Sequence, residues 1–105
     1  MTDTHSPHHL NTLRTQQALS AREPMLTTLV QIAAESIAQG ETQVGADVLA
    51  FILRCEDIPA PLEDQALDLW EDLERWVCPR VLWDAREFGK KAYLDDVVTY
   101  VLLGA

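Results

Sequence analysis

The segment Val44–Cys55 (VGADVLAFILRC) constrains the chain most, because it is helical in length and apolar nearly all round. Nine of its twelve residues are apolar. Wound as a helix, Val44, Val48, Phe51, Ile52 and Cys55 share one face, and Ala46, Leu49, Ala50 and Leu53 share the opposite one. A helix apolar on two sides needs cover on both. A chain of 105 residues with a few other short helices offers limited cover. The expectation is therefore that the back of this helix, at Leu49 and Leu53, is left for another protein chain. On that expectation, Leu49→Asp or Leu53→Asp would abolish association and spare the fold.

Hydrophobic periodicity predicts an all-α, single-domain bundle of four to five helices. Residues 1–20 are polar and read as a largely disordered tail, and 21–105 read as the helical domain. The first firm helix runs from Pro24 to Gly40, with Leu26, Leu29, Val30, Ala33 and Ile37 as its buried stripe. Thr42 is placed to cap the apolar helix. A third helix spans about Pro61 to Val77 on the stripe Leu62, Ala66, Leu69, Trp70, Leu73, Trp76 and Val77. A short helix from Arg80 to Phe88 is expected to close at Gly89. The segment Ala92–Leu103 carries a β-branched run that favours a strand, but with no second strand to pair it is read as a helix.

Composition bears mainly on partners. The net charge is −9, from 17 acidic and 8 basic residues, which argues against direct binding to nucleic acid or an anionic membrane. No segment approaches the ~20 apolar residues of a membrane span, and the N-terminus lacks a secretory apolar core. A cytoplasmic protein is expected, with Cys55 and Cys78 as buried free thiols.

Nothing in the chain assembles a catalytic set. All three histidines (His5, His8, His9) lie in the tail, so the helical domain lacks the commonest general base. Four glycines draw no phosphate-binding loop. Asp95-Asp96 suit the first turn of the last helix better than a metal site. The reading is a non-enzyme without cofactor or metal.

Charge is segregated along the chain. Glu56 to Glu74 holds eight acids and no base, and Arg75 to Lys91 holds five bases and two acids. Asp64, Asp68 and Asp72 recur every four residues as an acidic row. Such a row suits a solvated face, steering of a basic partner, or self-association of acidic end on basic end. Trp70 and Trp76 fit the core stripe of the third helix. Trp83 projects away from the face formed by Val81, Ala85 and Phe88, and is flanked by Arg80 and Arg86. An aromatic between arginines has the composition of an interface anchor. The candidate partner-binding residues are therefore Leu49, Leu53, Trp83, Arg80 and Arg86.

In its tail (MTDTHSPHHLNTLRTQQALS), its apolar helix (VGADVLAFILRC) and the block LWEDLERWVCPRVLW, the chain resembles the QslA-type antiactivators of LuxR-type quorum-sensing regulators such as LasR. The resemblance covers most of the chain and rests on no diagnostic motif. It implies a cytoplasmic, all-helical homodimer that acts without catalysis. Such a protein binds the ligand-binding domain of the transcription factor and occupies its dimerisation surface. A regulator that reads two DNA half-sites as a dimer then loses its promoter. Two other readings remain open on the residues: an acidic DNA mimic acting through the third helix, and a small secretion chaperone using the apolar surface.

Overall fold

The apolar segment is the axis of the fold, and the other helices are arranged around it. The computed structural model describes Thr12 and residues 22–104. Within 22–104 the chain forms α1 (Arg22–Ala38), α2 (Thr42–Arg54), α3 (Ala60–Trp76), α4 (Pro79–Lys91) and α5 (Leu94–Gly104). The protein is all-α, with no strand among the described residues. The β-branched C-terminal run is helical because Val97, Val98 and Val101 fall on one face and are all buried in the common core. The expected tail lies outside the described residues, apart from Thr12.

Local chemistry explains the breaks. Gly40 ends the first turn-back with φ of 87°, a left-handed conformation that costs a side-chain-bearing residue energy and glycine almost none. Its N–H donates to the Ile37 carbonyl at 3.2 Å and the next N–H, of Glu41, to the Ser36 carbonyl at 2.7 Å, which satisfies carbonyls at the end of α1. Prolines open α3 and α4 within their first turns, where a missing N–H goes unused. At the start of α5 the Tyr93 N–H donates to the Asp96 carboxylate at 3.0 Å, so the Asp95-Asp96 pair serves the first turn.

The cover that 105 residues were not expected to provide is present. Every residue of α2 from Gly45 to Ile52 is buried. α4 and α1 pack on it most extensively, with α3 and α5 completing the enclosure. Leu49 is 0% exposed, so the back of α2 is interior at that position and not a docking surface, while Leu53, half-buried against the core, keeps an edge at the surface. Small residues make this possible. A β-carbon at Gly89 would lie 3.0 Å from the backbone carbon of Ala50 and 3.1 Å from the Phe51 nitrogen, so α4 crosses α2 backbone against backbone. A β-carbon at Gly45 would lie 3.0 Å from the Ala33 carbonyl oxygen, and α1 is correspondingly close. Four short helices enclose α2 because two crossings omit the side-chain layer.

Three further expectations are corrected. α4 does not stop at Gly89 but runs through it to Lys91, because this glycine serves the crossing rather than a helix end. Trp76, assigned to the core stripe, is 56% exposed, since α3 ends there and its ring leans back along the helix to Asp72. Cys78 is exposed and only Cys55 is partly buried; both are free thiols.

Helix propensity alone favours Gly89→Ala by roughly 1 kcal/mol. The close crossing reverses that sign. Urea unfolding should show Gly89→Ala destabilised by about 1 kcal/mol and Gly89→Leu by more.

Candidate functional site

One buried polar cluster interrupts the core, and sequence reading missed it. Asp47 sits on α2 and is 7% exposed. Gln43, one turn earlier, donates from Nε2 to its Oδ1 at 2.8 Å and also to the Val81 carbonyl of α4 at 3.2 Å. The Tyr100 hydroxyl of α5 donates to Oδ2 at 3.0 Å. The Asp47 carboxylate thus ties α2 to α5, and the Gln43 amide that bonds it ties α2 to α4. Burial raises the Asp47 carboxyl pKa above its usual value, against the two hydrogen bonds that lower it. Burial, with the facing Asp47 charge, holds the Tyr100 phenol far above its usual range, so it stays a donor. The signal was a lone Asp within an apolar helix and a Tyr on the apolar face of the last one. With no buried side-chain polar atom left unpaired among the described residues, this half-buried cluster reads as a structural clasp.

The surface carries two features next to each other. The first is a groove of about 200 Å³ between α2, α3 and α4. Ala50, Leu53 and Trp70 line its apolar part, and Arg54, Arg86 and Lys90 line its rim. The Arg86 guanidinium lies 5.4 Å from the centre of the Trp70 ring and bonds Glu74 at 3.4 Å. Lys90 pairs with Glu87 at 2.9 Å, which holds the Glu87 carboxyl below its usual pKa. The second feature is the outward ridge of α4. Trp83 is 57% exposed there, and the Arg80 guanidinium sits 5.9 Å from its ring centre while pairing with Asp84 at 3.1 Å.

The sequence-chosen residues are therefore divided. Leu53 and Arg86 meet in the groove, and Arg80 and Trp83 meet on the ridge. Leu49 is removed from the set by burial. Arg54, Lys90 and Trp70 belong to the groove and were not chosen, although the basic block after Glu74 already signalled a charged rim. Leu67, 41% exposed and one turn before Trp70, was also missed.

A wider cleft of about 480 Å³ lies beyond Arg54 and Lys90, bounded by Arg22, Cys55 and Tyr93. Arg22 forks onto Asp57 at 2.8 and 3.2 Å, tying the start of α1 to the α2–α3 connection and lowering the Asp57 carboxyl pKa. Burial raises the Cys55 thiol pKa, which disfavours the nucleophilic thiolate. Among the described residues no cluster of His, Cys, Asp and Glu could hold a metal ion, and no helix is long and apolar enough to cross a membrane.

No family model matches the chain, and no curated protein or solved structure matches it.

Because the folded protein raises the Asp47 pKa, it binds that proton more tightly than the unfolded chain does. The stability linked to this proton is complete below the unfolded carboxyl value and is lost as pH rises through the folded one. Chemical denaturation from pH 7 downward should therefore show wild type gaining stability relative to Asp47→Asn. A relative loss on acidification would contradict the assignment.

Proposed function

We propose that the protein is a non-catalytic, protein-binding regulator: an antiactivator that engages the ligand-binding domain of a LuxR-type quorum-sensing transcription factor of the LasR kind. By covering the surface through which that domain dimerises, it would deny the regulator the paired geometry needed to read two half-sites. The resemblance of the tail, the apolar helix and the LWEDLERWVCPRVLW block supports this choice of partner.

The observation that carries the reading is the ridge of α4. Trp83 is a large ring held outward on a helix whose other side is locked against α2, and Arg80 packs over it. A rigid aromatic with an arginine on its face gives apolar contact area at small entropic cost. The partner residues are accordingly Trp83 and Arg80, with Arg86 and Leu53 at the neighbouring groove.

Since Trp83 and Arg80 are exposed, Trp83→Ala and Arg80→Ala should keep the helical circular dichroism and melting behaviour of wild type. Titration calorimetry against a ligand-loaded LuxR-type ligand-binding domain should show Trp83→Ala weakening the complex by about 2 kcal/mol or more. Undiminished affinity in this variant would remove the ridge from the interface, and no binding by wild type would remove the partner class.

A further inference from the structure

Half of the chain's eight lysines and arginines gather at one place on the surface. Arg54 and Lys90 line both the groove between α2, α3 and α4 and the wider cleft beside it, with Arg86 added at the groove and Arg22 at the cleft. The crossing of α4 over α2 explains the meeting. Arg54 follows Ala50 by one turn on α2, and Lys90 follows Gly89 on α4, so backbones that touch at Ala50 and Gly89 bring the two helix ends together. A cation in a last turn complements the carbonyl end of its own helix, which accounts for Arg54 and Lys90 singly. Together they place like charges around the same two hollows, in a chain with 17 acids. Among the described residues Arg54 has no ion-pair partner.

Each hollow also has an apolar part. In the groove Leu53 stands over a floor of Ala50 and Trp70, both buried. In the cleft Phe51 and Leu94 are joined by Tyr93, which is 78% exposed. The two shared cations stand where the hollows adjoin, so the order across this surface is apolar, basic, apolar.

We infer that the two hollows together bind an acidic peptide segment of a partner protein, with carboxylates on Arg54 and Lys90 and one apolar side chain in each hollow. The inference rests on the reading of the protein as a binder of other proteins and not on which regulator is bound. Size and charge choose the occupant. The groove, at about 200 Å³, takes one large side chain. That is below the roughly 300–1,000 Å³ usual for a small-molecule site. A nucleic acid would be repelled by the net charge of −9. Residues 1–21 carry one acid (Asp3) and one base (Arg14), so they bring no excess of negative charge. Of the two acids lining the cleft, Glu56 and Asp57, the second is already bonded by Arg22. The pairs Arg86 with Glu74 and Lys90 with Glu87 are half or more exposed on at least one partner. Such pairs are weak and exchange readily for the carboxylates of a ligand.

The probe is an acetylated, amidated peptide, Phe-Glu-Asp-Glu-Leu, titrated into the full-length ¹⁵N-labelled protein and followed by NMR, which detects weak binding and locates it. Two control peptides separate charge from apolar contact: Phe-Gln-Asn-Gln-Leu and Ala-Glu-Asp-Glu-Ala. The parent peptide should bind with a Kd of roughly 1 mM or tighter, and each control at least about fivefold more weakly. Shifts should centre on the ends of α2 and α4 and on the Trp70 indole. Arg54→Gln with Lys90→Gln, both at exposed positions, should keep the fold by circular dichroism and weaken the parent peptide at least about tenfold. The same variant should leave the neutral peptide unaffected. No shift at a peptide concentration of about 10 mM would overturn the inference. So would a neutral peptide that binds as well as the parent, or shifts centred elsewhere. Shifts at these helix ends on concentrating the protein alone would give the site to a second copy and also overturn it. No regulator enters this experiment, so its failure leaves the Trp83 ridge and the antiactivator reading to be judged by their own titration.

Discussion

Everything else in the structure depends on the close crossing of α4 over α2. Gly89 brings the α4 backbone to about van der Waals distance of the Ala50 and Phe51 backbone, and Gly45 does the same for α1. Helices that approach this closely leave no side-chain layer between them, so a short chain can surround one helix completely. Val48, Leu49 and Ile52 are then fully buried among α1, α3, α4 and α5. The same crossing fixes the azimuth of α4. With Leu82, Ala85 and Gly89 turned inward, Trp83 and Arg80 are turned out and Arg86 is brought over Trp70.

The helical class and the approximate helix limits were legible in the sequence, because periodicity and the positions of Pro and Gly carry that information directly. The stripe Leu26, Leu29, Ala33 and the stripe Leu62, Ala66, Trp70, Leu73 are buried as their spacing implies. The amount of cover on α2 was not legible. It depends on interaxial distance, which is set by pairs of small residues far apart in sequence, such as Gly89 and Ala50. For the same reason Gly89 was mistaken for a helix end. Asp47 was overlooked because its distant partner, Tyr100, comes from α5, and a one-dimensional pattern does not show a carboxylate meeting a phenol 53 residues away.

The candidate site was legible in part. Trp83 stood out because its neighbours of helical spacing are apolar and it lies off their face. Leu53 and Arg86 were chosen for separate reasons and converge in one groove. Charge segregation along the chain was visible, and folding brings one member of each stretch together, Glu74 of α3 and Arg86 of α4.

The central claim is that α2 is interior from Gly45 to Ile52 and that the proposed binding surface is the α4 ridge with the groove beside it. Far-UV circular dichroism with urea titration of Leu49→Asp tests it most directly. An unpaired carboxylate at this fully buried position costs several kcal/mol, comparable with the whole stability of a small domain. The account predicts loss of cooperative helical structure. A Leu49→Asp protein that remained folded and melted like wild type would show that this side of α2 is open, and would return the docking surface to the apolar helix.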